Sequence, residues 1–408
     1  MLLAQKNSKV LKEDLKKYRK KIKYYFSDLA KAYKDNNYSM PEAALYCPYD
    51  KLIINKTEQL AKKFGFATNI ILIGIGGSNL GTKTIYKYFG SNKNIVFLDT
   101  INVKKIESLK KFKLQSKNTC VIFISKSGET TESLVNAEII LKLYPKLKKN
   151  TVVISNINSP LSNFAKRNNI ELLEIYPNVS GRFSVFSPVG LFPLMLLEIN
   201  VINLLKGARD AITENITYTV NNKALKSAIS IYVNYLNGKQ INNYFLFNPN
   251  LEELGKWVRQ LIAESLGKEN KGILPIYTLG TVDLHSIYQL FLQGPKNVFT
   301  IFLKTEEESI FKLDNKLFYS GLVGDLKNKK LNSIYNSIYS GVIKSYKNNK
   351  LPFLELKFEK FREYEMGYFM QYKMIETMFL GVLLGINTFN QPGVEAYKIE
   401  TKKILKSI

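Results

Sequence analysis

Residues 71–85 read ILIGIGGSNLGTKTI, an apolar run that breaks into glycines and resumes as an amphipathic segment. A β-branched run into glycines and then a helical pattern predicts a strand, a tight turn and a helix start, whose free backbone N–H groups suit an anion. Phosphate is the first expectation. The dinucleotide pattern G-x-G-x-x-G begins with Gly74 and Gly76 but has Asn79 where its third glycine belongs, so nicotinamide or flavin binding loses its main support. The P-loop pattern fails as well, because counting from Gly76 brings Gly81, Thr82 and Lys83 one residue out of register. The plainer alternative is a βα turn whose glycines serve close packing.

The surrounding chain repeats the alternation. From about residue 68, NIILIGIG, NIVFLDT, TCVIFIS and NTVVISN are short apolar strands separated by helical or loop segments, which predicts a parallel, doubly wound α/β sheet. A mainly helical stretch at roughly 187–235 leads to a second series, NYFLFNP, GILPIYTLG and NVFTIFLK, alternating with helices at 251–267 and 283–293. Ahead of both units, residues 8–30 carry Leu11, Leu15, Tyr18, Ile22, Phe26 and Leu29 at helical spacing with lysines between, an amphipathic helix that packs on something. A helical pattern from about 364 to 388, a loop at Gln391-Pro392-Gly393 and a short basic helix close the chain. With no short-period repeat or low-complexity linker, the two α/β units are expected to pack tightly together.

The composition narrows the class. A chain of 408 residues, 45% hydrophobic, buries a sizeable core. Its first residues, MLLAQKNSKVLKEDLKK, turn charged too soon for a secretory signal. The longest apolar stretch, MFLGVLLGI at 378–386, falls far short of the ~20 residues that span a bilayer, so a cytoplasmic protein without membrane contact is expected. Cys47 and Cys120 form neither a disulfide framework nor a zinc spacing and read as structural thiols. The formal charge of +25 is spread through a chain rich in lysine, not gathered in a basic domain, and no reader motif is present. Nucleic acid is therefore not the expected partner, although a basic surface draws in phosphorylated metabolites.

Ligands of such sheets lie beyond the carboxyl ends of the strands, so the loops there should carry the chemistry. After VIFI (121–124), SKSGETTES supplies Ser125, Lys126, Ser127, Thr130 and Thr131 at a strand-to-helix junction. Hydroxyls and backbone N–H groups at a helix start cradle phosphate, although Ser and Thr are also ordinary N-caps. With Ser78 of the first loop, they are expected to converge on one anion. His285, in GTVDLHSIYQL, is the only histidine, so multi-histidine metal sites are excluded, and no paired acidic motif for magnesium is visible. The helix at 251–267 places Lys256, Gln260 and Glu264 on one face. That face is either solvated, with Glu264 paired to Lys268, or it presents a general base. Arg182 in SGRFSVFSPVG and Lys398 in NQPGVEAYK are, singly, surface charges or site residues.

Together the segments IGIGGSNLG, SKSGETTES, SGRFSVFSPVG, RQLIAESLGKE, DLHSIYQL and FNQPGVEAYK, in this order, resemble the glucose-6-phosphate isomerase (phosphoglucose isomerase) family from about residue 40 to the C-terminus. Gly381 to Lys398 is the most specific match. Ser180 departs from it, standing where the family usually has glycine, and the length resembles compact bacterial members. The resemblance implies a helical extension at 1–50, two sugar isomerase domains at 51–200 and 201–390, a catalytic loop and helix at 391–408, and a homodimer. It implies reversible interconversion of glucose 6-phosphate and fructose 6-phosphate, without metal or redox cofactor. Position by position, Ser78, Ser125, Ser127 and Thr130 match phosphate-binding residues, with Gly76 and Gly77 in the same loop, and Lys126, Gln260 and Gln391 match further substrate contacts. Glu264 matches the base that moves a proton between C1 and C2, and Arg182 the group beside the enediolate. His285 and Lys398 match ring-opening residues, His285 reaching its site from the neighbouring subunit. Two alternatives remain: an isomerase that also accepts mannose 6-phosphate, and a non-catalytic sugar-phosphate sensor, which would not need Glu264, Arg182, His285 and Lys398 together.

Overall fold

The computed structural model describes residues 1–306, 309–319, 322 and 326–407. The glycine-rich stretch begins on strand β2 (Asn69–Ile73), which lies inside a parallel sheet with β3 (Asn94–Leu98), β4 (Thr119–Ile124), β5 (Thr151–Asn156) and β6 (Glu171–Ile175) in the order β3-β2-β4-β5-β6. A second sheet holds β7 (Ile241–Phe247), β8 (Leu274–Leu279), β9 (Val298–Thr305) and β10 (Phe353–Phe358), parallel in the order β10-β9-β7-β8. Its outer edge is closed by β1 (Leu2–Ala4), antiparallel to β10 with Leu2 opposite Lys357.

The two sheets are wound alike. Among the parallel strands of each, the earliest in the chain is internal, the second goes to one side, and the later ones go to the other. The winding therefore reverses between β2 and β4 and again between β7 and β9, which opens a crevice beyond the carboxyl ends of each pair.

Helices cover both faces, so the central strands are buried throughout, as parallel sheets require. Alternate residues go to opposite layers. Ile70, Leu72, Ile122 and Ile124 join the main core, while Ile71, Ile73, Val121 and Phe123 pack on Ala137, Ile140 and Leu161. Cys47 and Cys120 are free, buried thiols of the main core. The apolar stretch 378–386 runs out of the helix Glu363–Leu384, which is buried along nearly its whole length. No helix among the described residues is long and apolar enough to cross a membrane.

The helix expected over 8–30 is two helices, Lys12–Lys21 and Tyr25–Ala32. The break at Ile22 lets Tyr18, Ile22, Phe26 and Leu29 all reach the core, whereas Leu11 stays exposed. The strands β1, β6 and β10 go beyond the apolar runs read from the sequence. Each of the longer two carries charge: ELLEI at β6, and FLELKF at β10, where buried Glu355 accepts from the Tyr339 hydroxyl at 2.7 Å and meets Lys357 at 2.7 Å.

Candidate active site

The loops after β2 and β4 flank the crevice of the first sheet because those strands are neighbours. After β2 the chain makes a tight turn, Gly76–Ser78, and enters the helix Leu80–Phe89. A Cβ on Gly77 would lie 2.2 Å from the Gly181 carbonyl carbon, and one on Gly76, whose φ is +57°, would lie 2.6 Å from Gln260 Nε2. The glycines thus do serve close packing, and that packing sets the loop against the Arg182 turn and the helix carrying Gln260.

After β4, Ser125 is buried and Ser127 exposed. Ser125 Oγ accepts from the Gly128 N–H at 3.1 Å and lies 3.1 Å from Thr130 Oγ1, while the Ser155 hydroxyl donates to the Ser125 carbonyl at 2.6 Å. Thr130 stands at the N-cap of the helix Thr131–Leu143, yet its hydroxyl makes no cap bond. It turns to Ser125 instead, so an ordinary N-cap does not account for it.

Arg182 sits in the turn Gly181–Phe183 and is only 1% exposed. Its donors are distributed over two distant chain segments. Nε donates to Ser265 Oγ at 2.7 Å, Nη1 to Gln391 Oε1 at 2.7 Å, and Nη2 to the carbonyls of Thr388 at 2.7 Å and Asn390 at 3.2 Å. Nη1 also lies 3.5 Å from Glu264 Oε2. Burial lowers the guanidinium pKa, and the Glu264 carboxylate opposes that shift. Ser180 fits before this turn because its φ of −72° is ordinary for any residue, and its buried hydroxyl has no partner among the described residues.

The helix Glu252–Leu266 brings up the carboxylate. Glu264 receives the Gln260 amide on Oε1 at 2.9 Å, with its side chain 28% exposed. Lys256, predicted on the same face, pairs instead with Glu252 and Glu253. Lys268 forms no close ion pair with Glu264 either; its ammonium donates to the Asn387 carbonyl. Burial and the charge of Arg182 bring Lys268 down to about 8 and also lower Lys126, so the carboxylate stands in a positive field that suits a phosphate dianion.

The C-terminal helix Gly393–Ser407 lies over the β4 loop, with Lys402 paired to Glu129 at 2.9 Å. Between them is a cavity of about 330 Å³ that unites Ser127, Thr130 and Lys398, whose ammonium holds Glu395 at 2.8 Å. His285 joins neither group. It ends a turn, Val282–His285, beyond the edge strand β8, is exposed, and its side chain makes no hydrogen bond or ion pair with the described residues. Among the described residues no cluster of three His, Cys, Asp or Glu side chains is placed to hold a metal ion.

The single chain therefore assembles two patches. One is Gly76, Gly77, Gln260, Glu264, Arg182 and Gln391; the other is Ser125, Ser127, Thr130 and Lys398. Ser78 and Lys126 stand in the loops of the shared crevice. A partly exposed carboxylate beside an always-charged guanidinium can take a carbon-bound proton and stabilise the oxyanion that results. Sequence reasoning did not find the supports of Arg182: Ser265 and the carbonyls of Thr388 and Asn390. Backbone acceptors carry no residue signature, and their partner lies some 200 positions away.

Comparison with known proteins gives this arrangement a context. The family model for phosphoglucose isomerase matches residues 33–408. The chain is 34% identical over 345 residues to the glucose-6-phosphate isomerase of Methanocaldococcus jannaschii, covering 82% of this chain and 83% of that protein. A crystal structure of a glucose-6-phosphate isomerase from Chlamydia trachomatis superposes with a TM-score of 0.84 at 20% identity, over 99% of this chain and 88% of the other. The C-terminal domain of glucosamine-fructose-6-phosphate aminotransferase from Francisella tularensis shares the fold more distantly, with a TM-score of 0.51 at 13% identity over 86% and 95% of the two chains.

Proposed function

The chain belongs to the phosphoglucose isomerase family, and from that premise we propose that it interconverts glucose 6-phosphate and fructose 6-phosphate through an enediolate. The observation that carries the reading is the Glu264 carboxylate, held by Gln260 on one oxygen and facing Arg182 with the other, at the rim of two hydroxyl-lined loops.

In this reading the phosphate is held by the hydroxyls of Ser78, Ser125, Ser127 and Thr130, by the N–H groups of Gly76 and Gly77, and by Lys126. Lys398 and His285 open the ring by moving protons at the ring oxygen and the anomeric hydroxyl. Glu264 takes the proton from C2 and returns it at C1, while one hydroxyl proton passes from O2 to O1. Arg182 holds the negative charge of the intermediate, and Gln391, bonded to that guanidinium, faces the same sugar. The exposure of His285, whose side chain meets no partner among the described residues, supports its delivery by a second copy, making the active form a homodimer. The division into sugar isomerase domains at 51–200 and 201–390, with 1–50 and 391–408 as extensions, fits two sheets of like winding, although β1 belongs to the second. A cytoplasmic location accords with the chemistry.

The test is conversion of fructose 6-phosphate by purified, chelator-treated protein, with glucose 6-phosphate and mannose 6-phosphate followed together. Glucose 6-phosphate alone is the expected product. Both products would replace the proposal with the dual-specificity enzyme, and binding without product would replace it with the sensor.

A further inference from the structure

Residues 1–32 precede the stretch that the family model matches, and the isomerase reading gives the helix Lys12–Lys21 no task. One of its faces, Lys12, Leu15, Lys16 and Arg19, follows the i, i+3, i+4, i+7 spacing and lies along the turn at 219–222 and the helix Lys223–Leu236. Between them runs a groove of about 420 Å³. We propose that this groove is a binding site for a small molecule carrying two or more phosphate groups, separate from the isomerase crevice.

Charge carries the argument. Lys12, Lys16, Arg19 and Lys226 all line the groove, and no Asp or Glu does. None of the four forms an ion pair with a described residue, whereas the lysines at 62, 83, 256 and 402 each meet a carboxylate. The groove therefore gathers four positive charges that no carboxylate among its lining residues offsets. Arg19 is also held in place: its guanidinium lies 5.6 Å from the Tyr218 ring, and its Nε is buried without a partner among the described residues. One phosphate dianion would leave two of the four cations uncompensated, a diphosphate ester only one, while a triphosphate or two phosphate monoesters meet them all. The volume is that of a small-molecule site. Leu15, Leu225, Ile229 and Val220, the last 61% exposed, form an apolar wall beside the cations, which suits an organic body attached to the phosphates.

Two probes separate the possible sources: ATP for a nucleoside polyphosphate, and inorganic tripolyphosphate for the phosphate chain alone. Each is titrated calorimetrically into the full-length protein with chelator and saturating fructose 6-phosphate, which occupies the crevice. The expected result is saturable 1:1 binding that weakens about tenfold or more in Lys16→Glu and in Arg19→Ala, the scale of one charge-assisted contact. Isomerase activity should be unchanged in both variants. Tighter binding of ATP would assign the apolar wall to a base or sugar, and equal affinity would assign the site to the phosphates; either supports the proposal. Lys16 is exposed, so its substitution disturbs no core, and Lys16→Gln, expected to give a smaller fall than Lys16→Glu, provides a second check. Absence of saturable binding by both probes, its loss under fructose 6-phosphate, or undiminished affinity in the variants would overturn the proposal.

Discussion

Lys268 stands one helical turn beyond Glu264 and donates to the Asn387 carbonyl, in the loop that supplies three acceptors to Arg182. Burial and Arg182 lower its pKa from the ordinary lysine value to about 8. The folded protein therefore releases this proton at a pH where the unfolded chain still holds it, and stability from this group rises as pH climbs from about 8 towards the ordinary lysine range. Comparison with Lys268→Met should show the wild-type melting temperature gaining on the variant between pH 7 and pH 9.5; a constant difference would mean that the lysine is not shifted. Two further substitutions probe the chemistry. Glu264→Gln should lower turnover by about 10²-fold or more, the range for loss of a general base, while sugar-phosphate binding persists. In Arg182→Lys a single ammonium cannot serve Ser265, Gln391 and Thr388 at once, so activity should fall and the C-terminal loop should loosen; wild-type kinetics would remove the guanidinium fork from the mechanism. The identities of these residues were readable in the sequence, but which of them touch was not, because Glu264 and Arg182 meet across 82 positions of chain.

At the level of elements, the buried helix Glu363–Leu384 crosses Val201–Asn215 so closely that a Cβ on Gly207 would lie 1.9 Å from the Tyr364 carbonyl oxygen. Gly207→Ala should destabilise the protein by about 1–3 kcal/mol, the usual range for overpacking, and leave the KM for fructose 6-phosphate nearly unchanged; an unaltered denaturation midpoint would show that the crossing can relax. The apolar strands β2, β4, β5, β7 and β9 were legible because strands covered on both faces must be apolar throughout. β1, β6 and β10 were not, since β6 and β10 mix charge into their runs and β1 is three residues long. Such segments are strands only because an edge is there to receive them.

At the scale of the molecule, the proposed dimer makes a sharp prediction. Mixing His285→Ala with Glu264→Gln, each nearly inactive alone, allows exchange to form heterodimers in which one site combines the Glu264 of one copy with the His285 of the other. Activity should then recover to about a quarter of wild type, since half the dimers are mixed and half their sites intact. No recovery after subunit exchange would place His285 in its own chain's site. The sequence by itself determined the α/β class, the two series of strands and the glycine and hydroxyl loops, and through the family resemblance it offered candidates for the reacting groups, because these rest on local periodicity and on short motifs that a few neighbouring residues specify. Only the tertiary structure decided the strand order, the place of β1 on the second sheet, the bonding of Arg182 to two distant segments, and the division of the loops and charges into two patches. Those features depend on contacts between residues far apart in the chain, which packing selects and local sequence does not encode.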